Sequence, residues 1–590
     1  MDSLRAGTDG PKWTHGLSNE LGRLAQGVGK NRPANDKIAG TNTIFFIPKS
    51  SVPSNAKVTY ANFICDLKPL KKEEHRVRCT VGGDRLDYED DPSSPAAALL
   101  DIKIHLNSTI SDATQGARYA TADIENYYLN NPMATFRYMH ISLKDIPPEI
   151  ITEYDLLQIA HHGFVYVEIR KGMYGLKEAG IIAFKRLVAK MAPHGYHPVR
   201  FTPGLWCHNI PPTTFTLAVD DFGIKYFHTY HLTHLFNALQ QNYKITIDLS
   251  GSHYCGLTIK WNYQDGWVEI SMPGYVSKAL DKFRHPHPKR PQHAPHQWVK
   301  PTYGQKVQYA LPPSSLPLLD KTGTRRIQSI NGTFLYYGRA VDPCILPSCN
   351  EIGTQQAFPT AKTTSAANML MDYMATYPNA VIRYNASDMC LHIDSDAAYL
   401  VLPKARSRGA GHFFLSDTPP KSNTKPNPTP NGPIHTECVT LRNVMTSAAE
   451  VETQTVYHNG KVAIPIRTTL EEMRHPQPPT PIKTDNSTAC GILNSSMRQK
   501  RSKAFDMKIY FMKDRIQQKE FRLYWDKGTN NLADYFTKHH PPSHHKLMRP
   551  KYLQPSKHVA TSSQALAQGC VNALTGLQCK SLSTSQQSCN

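Results

Sequence analysis

"FTLAVDDFGIKY", residues 215–226, sets Asp220 beside Asp221 inside an otherwise apolar stretch. Apolar neighbours make ionisation costly, and an adjacent like charge makes it costlier. A tight turn accommodates such a pair, since Asp is common at turns. A divalent cation supplies a sharper reason, because it converts mutual repulsion into joint coordination. "TFTLAV" alternates, with Phe215, Leu217 and Val219 on one face, and "FGIKY" resumes an extended pattern. The doublet is therefore expected at the tip of a β-hairpin.

Working upstream, "YATADIENYYL" (119–129) places Asp123 at the end of another short strand. Between the two, "RKGMYGLKEAGIIAFKRLVAKM" reads as a Gly-containing turn feeding an amphipathic helix, with Ile182, Ala183, Leu187 and Met191 on one stripe. Strand-Asp, Gly-turn-helix and hairpin-Asp-Asp, in that order, are the parts of a polymerase palm. "MYGLKEAG" (173–180) is similar to the LYGLKQAP signature of copia-type retrotransposon reverse transcriptases, "VDD" resembles their YVDD hairpin, and "ADIENYYLNNPM" resembles their DV-K-TAFLNG stretch. The likeness runs from about residue 41 to 278. Ala218 departs from it, standing where the hairpin motif usually carries an aromatic residue that supports the primer terminus.

The resemblance implies two-metal phosphoryl transfer, in which carboxylates from separate strands hold two ions about 4 Å apart. Asp123 and Asp220 are the expected ligands, with Asp221 catalytic by adjacency. By the same resemblance Tyr128 takes the bulky position that excludes a ribose 2′-hydroxyl, against the alternative of a core aromatic. "KKEEHRVRCTVGGDRLDY" (71–88) resembles the fingers strand whose basic residues hold the incoming triphosphate, with Arg78 the preferred match and Arg76 the fallback. Lys71 and Lys72 read as a surface charge run. Gly175 and Lys177, within the MYGLKEAG motif, are further substrate-binding candidates.

Downstream, the pattern is strand (389–396), strand (about 410–416), strand (about 436–442), helix from about 447, strand ending at Asp485, helix, strand, helix. Asp396 ends the first strand in "HIDSDAAY", Glu452 lies in the first helix in "SAAEVET", Asp485 closes a strand in "IKTDNSTA", and Asp534 sits in the last helix in "NNLADYFTK". Singly, each reads as a solvated charge or a cap, and Asp485 is a good N-cap candidate. Together they resemble the D-E-D-D carboxylates of the ribonuclease H fold, and "NLADYFTK" is close to the QLADIFTK ending of copia-type elements. Pattern alone does not separate Asp394 from Asp396 or Glu450 from Glu452; the family's SDA and AEAEY strings favour Asp396 and Glu452. Lys527 stands near the place where many ribonucleases H carry a mobile histidine.

The bulk numbers agree with that reading. The chain has 590 residues, enough for two to four domains, and 67 Lys and Arg against 47 acidic residues give a formal charge of +20. Such a field favours a polyanionic partner. The N-terminus has no signal-peptide apolar region, and no apolar run reaches membrane-spanning length. Twelve scattered cysteines without a CxxC pair argue against a zinc ribbon and for a reducing compartment.

The expected fold class is α/β (α+β): a polar leader (1–40), reverse-transcriptase fingers and palm (41–278), a Pro/His-rich linker and helical thumb or connection (279–380), a ribonuclease H-like domain (381–540) and a disordered basic Ser/Gln-rich tail (541–590). "HPHPKRPQHAPHQWVKP" (285–301) reads as a solvated linker rather than a ligand set. The resemblance implies an RNA-directed DNA polymerase with fused ribonuclease H. Mg²⁺ (or Mn²⁺) is the implied cofactor, held by Asp123, Asp220, Asp396, Glu452, Asp485 and Asp534. RNA template, DNA primer, RNA–DNA hybrid and dNTPs are the implied partners, with no membrane and no protease or integrase in the chain. The expected location is a cytoplasmic particle or the nucleus. Two alternatives stand beside it. A catalytically inactive remnant that at most binds nucleic acid predicts decayed carboxylates, and an unrelated basic metal-dependent nuclease leaves the N-terminal set unexplained.

Overall fold

The computed structural model describes residues 2–67, 73–298, 316–421, 424–497 and 506–554. Lys71, Lys72 and the tail from residue 555 lie outside the described residues.

The hairpin forms as the alternation requires. Strands Thr214–Ala218 and Asp221–Tyr226 pair antiparallel, with Ala218 opposite Asp221, so the turn holds only Val219 and Asp220. Phe215, Leu217, Phe222 and Ile224 are buried. Val219 belongs to the turn rather than the strand face: its φ is +66° and it is 38% exposed. A β-branched residue with positive φ is an uncommon, strained arrangement of the kind that collects at functional turns. The hairpin sits inside a six-stranded antiparallel sheet, flanked on one side by Arg118–Ile124 and then Ile245–Asp248, and on the other by Leu205–His208 and Tyr196–Pro198. The helix Ala179–Met191 packs Ala183, Leu187 and Met191 into the core against it.

A five-stranded sheet interleaves with this one along the chain, in the order 44–47, 164–171, 132–142, 58–67, 75–81. The N-terminal stretch, expected as a loose leader, instead forms the helix Gly10–Leu24 against that sheet. Trp13, Leu17, Leu21 and Leu24 are buried at helical spacing, so the apolar stripe outweighs the three glycines in the helix. Three helices, Lys321–Ala340, Leu346–Gln355 and Ala361–Thr376, lie in the stretch expected as a helical connector. The Pro/His-rich stretch is less solvated than expected: His296 is 2% exposed, and His285 is hydrogen-bonded to Asp372 at 2.8 Å.

The strand Val381–Asn385 does not join the C-terminal sheet. It pairs with Trp267–Ser271 of the first half of the chain. The C-terminal sheet begins at Cys390 and runs in the order 433–440, 406–416, 390–402, 480–484, 521–525. Its first three strands are antiparallel, and its last two lie parallel to the central strand. The long helix Ala448–Glu472 makes the crossover into Thr480–Thr484. Two further expectations are corrected. Asp534 lies in a short 3-10 turn, Asp534–Phe536, and residues 542–552 are a helix that buries His545, Met548 and Tyr552. The apolar spacing of those three outweighs the polar composition that suggested disorder.

Candidate active sites

Two acidic centres emerge from these sheets. At the first, Asp221 is the ladder partner of Asp123, and the Ile124 amide donates to the Asp220 carbonyl at 3.0 Å. Strand pairing alone therefore brings Asp123, Asp220 and Asp221 together. All three are half-buried. Burial, then the Asp220 and Asp123 charges, push the Asp221 carboxyl up to about 6. Asp220 is raised by burial and then by Asp123. Three carboxylates thus oppose one another's ionisation, which a cation would relieve.

Asp123 and Asp220 open onto a cavity of about 950 Å³, whose walls include Arg76, Arg78 and Tyr174. Arg76 is held by Glu73 at 3.1 Å. Arg78 lies over the Tyr174 ring, 5.4 Å from its centroid, with no ion pair among the described residues. Tyr128 is half-buried, edge-on to Tyr174 at 5.6 Å, and its hydroxyl is raised by burial and then by the nearby Asp220. Gly175 and Lys177 fall outside the cavity lining: Gly175 abuts the Val81 backbone, and Lys177 donates to the Leu86 carbonyl at 2.9 Å. The cavity wall formed by the N-terminal helix had no counterpart in the sequence reading, because its glycines disguised the helical stripe.

At the second centre, oxygens of Asp396, Glu452 and Asp485 all lie within 4.8 Å of one another. Asp396 comes from the central strand, Glu452 from the crossover helix and Asp485 from the end of the parallel strand. Asp396 accepts from Thr537 Oγ1 at 2.8 Å, and Glu452 accepts from the Ala397 amide at 3.1 Å. Burial, then Asp534 and Asp485, push Asp396 up to about 7. Glu452 is raised well above its usual range by burial and then by Asp396 and Asp485. Asp534 is close enough to act on Asp396 and Asp485, and it is ion-paired with Lys538 at 2.6 Å.

Packing separates the pairs that pattern left open. Asp394 is occupied by Lys483 at 2.9 Å and by the Leu532 amide at 2.9 Å. Glu450, in the first turn of the helix that Ser447 caps, accepts from the Thr446 amide at 2.8 Å and hydroxyl at 2.7 Å. The N-cap after the parallel strand is Asn486, whose side chain accepts from the Ala489 amide at 2.9 Å. Asp485 is thereby released from capping and turns to the other carboxylates. Lys527 is exposed. Lys538 and Thr537 were given no role in the sequence reading; the signals were their place at the end of "NLADYFTK" and the Asp534–Lys538 spacing of four, common on any charged surface.

No family model matches the chain. Among solved structures, it is similar to two of foamy viral protease-reverse transcriptase in complex with double-stranded DNA. Both are 13% identical over 82% of this chain, with 67% and 80% of those chains covered and TM-scores of 0.43 and 0.42. It is also similar, at 9% identity and a TM-score of 0.17, to the N-terminal ribonuclease H domain of a Mycobacterium tuberculosis protein, over 28% of this chain and 96% of that one. Likenesses of this size carry no functional weight. The chain's own sheet orders and connections make it a mixed α/β molecule.

Proposed function

We propose that this chain is an RNA-directed DNA polymerase with a fused ribonuclease H, of the copia retrotransposon type. The observation that carries the reading is the presence of two separate carboxylate convergences, each made by residues that the motifs single out. The copia assignment rests on "MYGLKEAG" and "NLADYFTK".

Both donor sets consist of carboxylates, hard oxygen ligands that suit Mg²⁺ or Mn²⁺ and not the soft or imidazole-preferring metals. Asp123 and Asp220, with Asp221 beside them, would hold the ions of the polymerase centre; Asp396, Glu452, Asp485 and Asp534 would hold those of the hydrolytic one. Bound there, the ions would activate the attacking oxygen and stabilise charge on the reacting phosphate. Arg78 would bind the triphosphate of an incoming dNTP, and the Tyr128 ring would close the space a 2′-hydroxyl needs. Thr537 orients Asp396, while the Ala397 amide and, at 3.4 Å, Thr484 Oγ1 donate to the two oxygens of Glu452. Lys538 offsets part of the negative charge at Asp534.

The partners are then an RNA template, a DNA primer, the RNA–DNA hybrid and dNTPs, met in a cytoplasmic particle or the nucleus. Among the described residues, no helix is long and apolar enough to cross a membrane. Primer extension on an RNA template with Mg²⁺, followed by hydrolysis of the RNA strand, tests the reading. Template-dependent extension supports it, and neither activity at any Mg²⁺ or Mn²⁺ concentration would leave the inactive-remnant alternative in its place.

A further inference from the structure

The cavity wall facing Asp123 and Asp220 is built partly by the N-terminal helix, through His15, Gly16, Asn19 and Arg23. That helix is stitched to the strand His75–Val81, which carries Arg76 and Arg78. Glu20 is the central stitch. It is 2% exposed, accepts the Cys79 amide at 3.2 Å and pairs with Arg23 at 2.8 Å. Arg23 reaches on to Glu73 at 2.6 Å, and Glu73 in turn holds Arg76 at 3.1 Å. Around this chain of ion pairs the backbones are pressed together. Trp13 meets His75 edge-on at 4.7 Å, and a Cβ on Gly16 would fall 2.3 Å from the His75 carbonyl oxygen.

Packing alone does not call for such an arrangement. A buried carboxylate costs several kcal/mol unless it is fully paired, and an apolar residue would dock the helix at least as well. What the relay adds is direction. It ties the strand at Cys79 and occupies Arg76, so that among the described residues Arg78 is the arginine of that strand left without an ion pair at the cavity wall.

We propose that Glu20, Arg23 and Glu73 are positioning residues for nucleotide binding, and that the N-terminal helix is part of the nucleotide site. Their relay fixes the strand so that Arg78 meets a triphosphate whose reacting end lies at Asp123 and Asp220. This rests on the polymerase reading above.

The test compares the full chain with Glu20→Gln, Arg23→Ala and Arg23→Lys. Steady-state primer extension gives KM for dNTP and kcat; hydrolysis of the RNA strand and the melting temperature are measured on the same preparations. Misplacing one triphosphate-binding cation should raise KM about tenfold in Glu20→Gln and Arg23→Ala with kcat within about twofold. RNA hydrolysis should not change, and Arg23→Lys should recover most of the affinity. A wild-type KM in both Glu20→Gln and Arg23→Ala would overturn the proposal. So would kcat, hydrolysis and melting temperature falling together at constant KM, since the helix would then only support folding. If Glu20→Gln fails to fold, seen as lost hydrolysis, the Arg23 pair decides. Absence of extension by the wild-type chain would instead remove the polymerase reading, and this inference with it.

Discussion

The two acidic centres solve the same electrostatic problem by different means. At the hairpin, one antiparallel ladder and a two-residue turn place all three aspartates, and they remain half-buried beside an open cavity. In the C-terminal domain four separate segments contribute, and Asp396 and Glu452 are 3% and 5% exposed. The first centre is local geometry carrying turn strain at Val219. The second is a tertiary cradle, held by hydrogen bonds from Thr537 and the Ala397 amide. Centres built so differently should fail independently, and their supporting residues should fail in different ways.

The largest expected effect is in the cradle. Asp485→Asn removes one negative charge from the set, and RNA hydrolysis should fall on the order of a thousandfold. The melting temperature should hold, because Asn486 and not Asp485 caps the following helix. Near-normal hydrolysis would return Asp485 to a structural role and erase the contrast. At the hairpin, Tyr128→Val should raise ribonucleotide incorporation by roughly ten- to several-hundredfold, the range a steric pocket supplies. Loss of melting temperature without altered sugar selectivity would make Tyr128 a core residue instead.

A third outcome concerns pH without added metal. Asp396 is raised to about 7 in the folded chain, against about 4 for an unfolded aspartate. Its contribution to stability is therefore complete below about pH 4 and is lost as pH rises through about 7. Chelator-treated wild type should lose melting temperature relative to Asp396→Asn across that window, and Mg²⁺ should restore it. Parallel pH curves for the two would show that the cradle carries no such strain. The smallest effect belongs to Glu450→Ala. It removes a helix-terminal interaction worth about 1 kcal/mol, lowering the melting temperature by a few degrees while leaving hydrolysis intact. A large loss of hydrolysis would exchange the roles of Glu450 and Glu452.

The same contrast explains what was legible in the sequence. The hairpin could be read because period-two alternation and a doublet at its break are local signals, and strand pairing then fixes Asp221 against Asp123. In the cradle, the residue types were visible, but the selection among neighbours was not. Asp394 and Asp396 share a strand face, and what separates them is Lys483, almost ninety positions away in sequence. Asp485 looked like a cap, and only the observed Asn486–Ala489 bond removes that role. Composition misled at both ends of the chain. Gly10, Gly16 and Gly22 hid the helix that lines the cavity at Asp123 and Asp220, and basic, proline-bearing residues hid the helix Pro542–Tyr552.

That one chain carries two independent carboxylate centres is a testable claim. Its most direct test is to follow DNA synthesis and RNA hydrolysis together, on one primed RNA template with Mg²⁺, for wild type, Asp220→Asn and Asp396→Asn. Asp220→Asn should abolish nucleotide addition and leave cleavage of a preformed hybrid unchanged, while Asp396→Asn should do the reverse. Unchanged extension by Asp220→Asn, or both activities falling together in either variant, would contradict the claim.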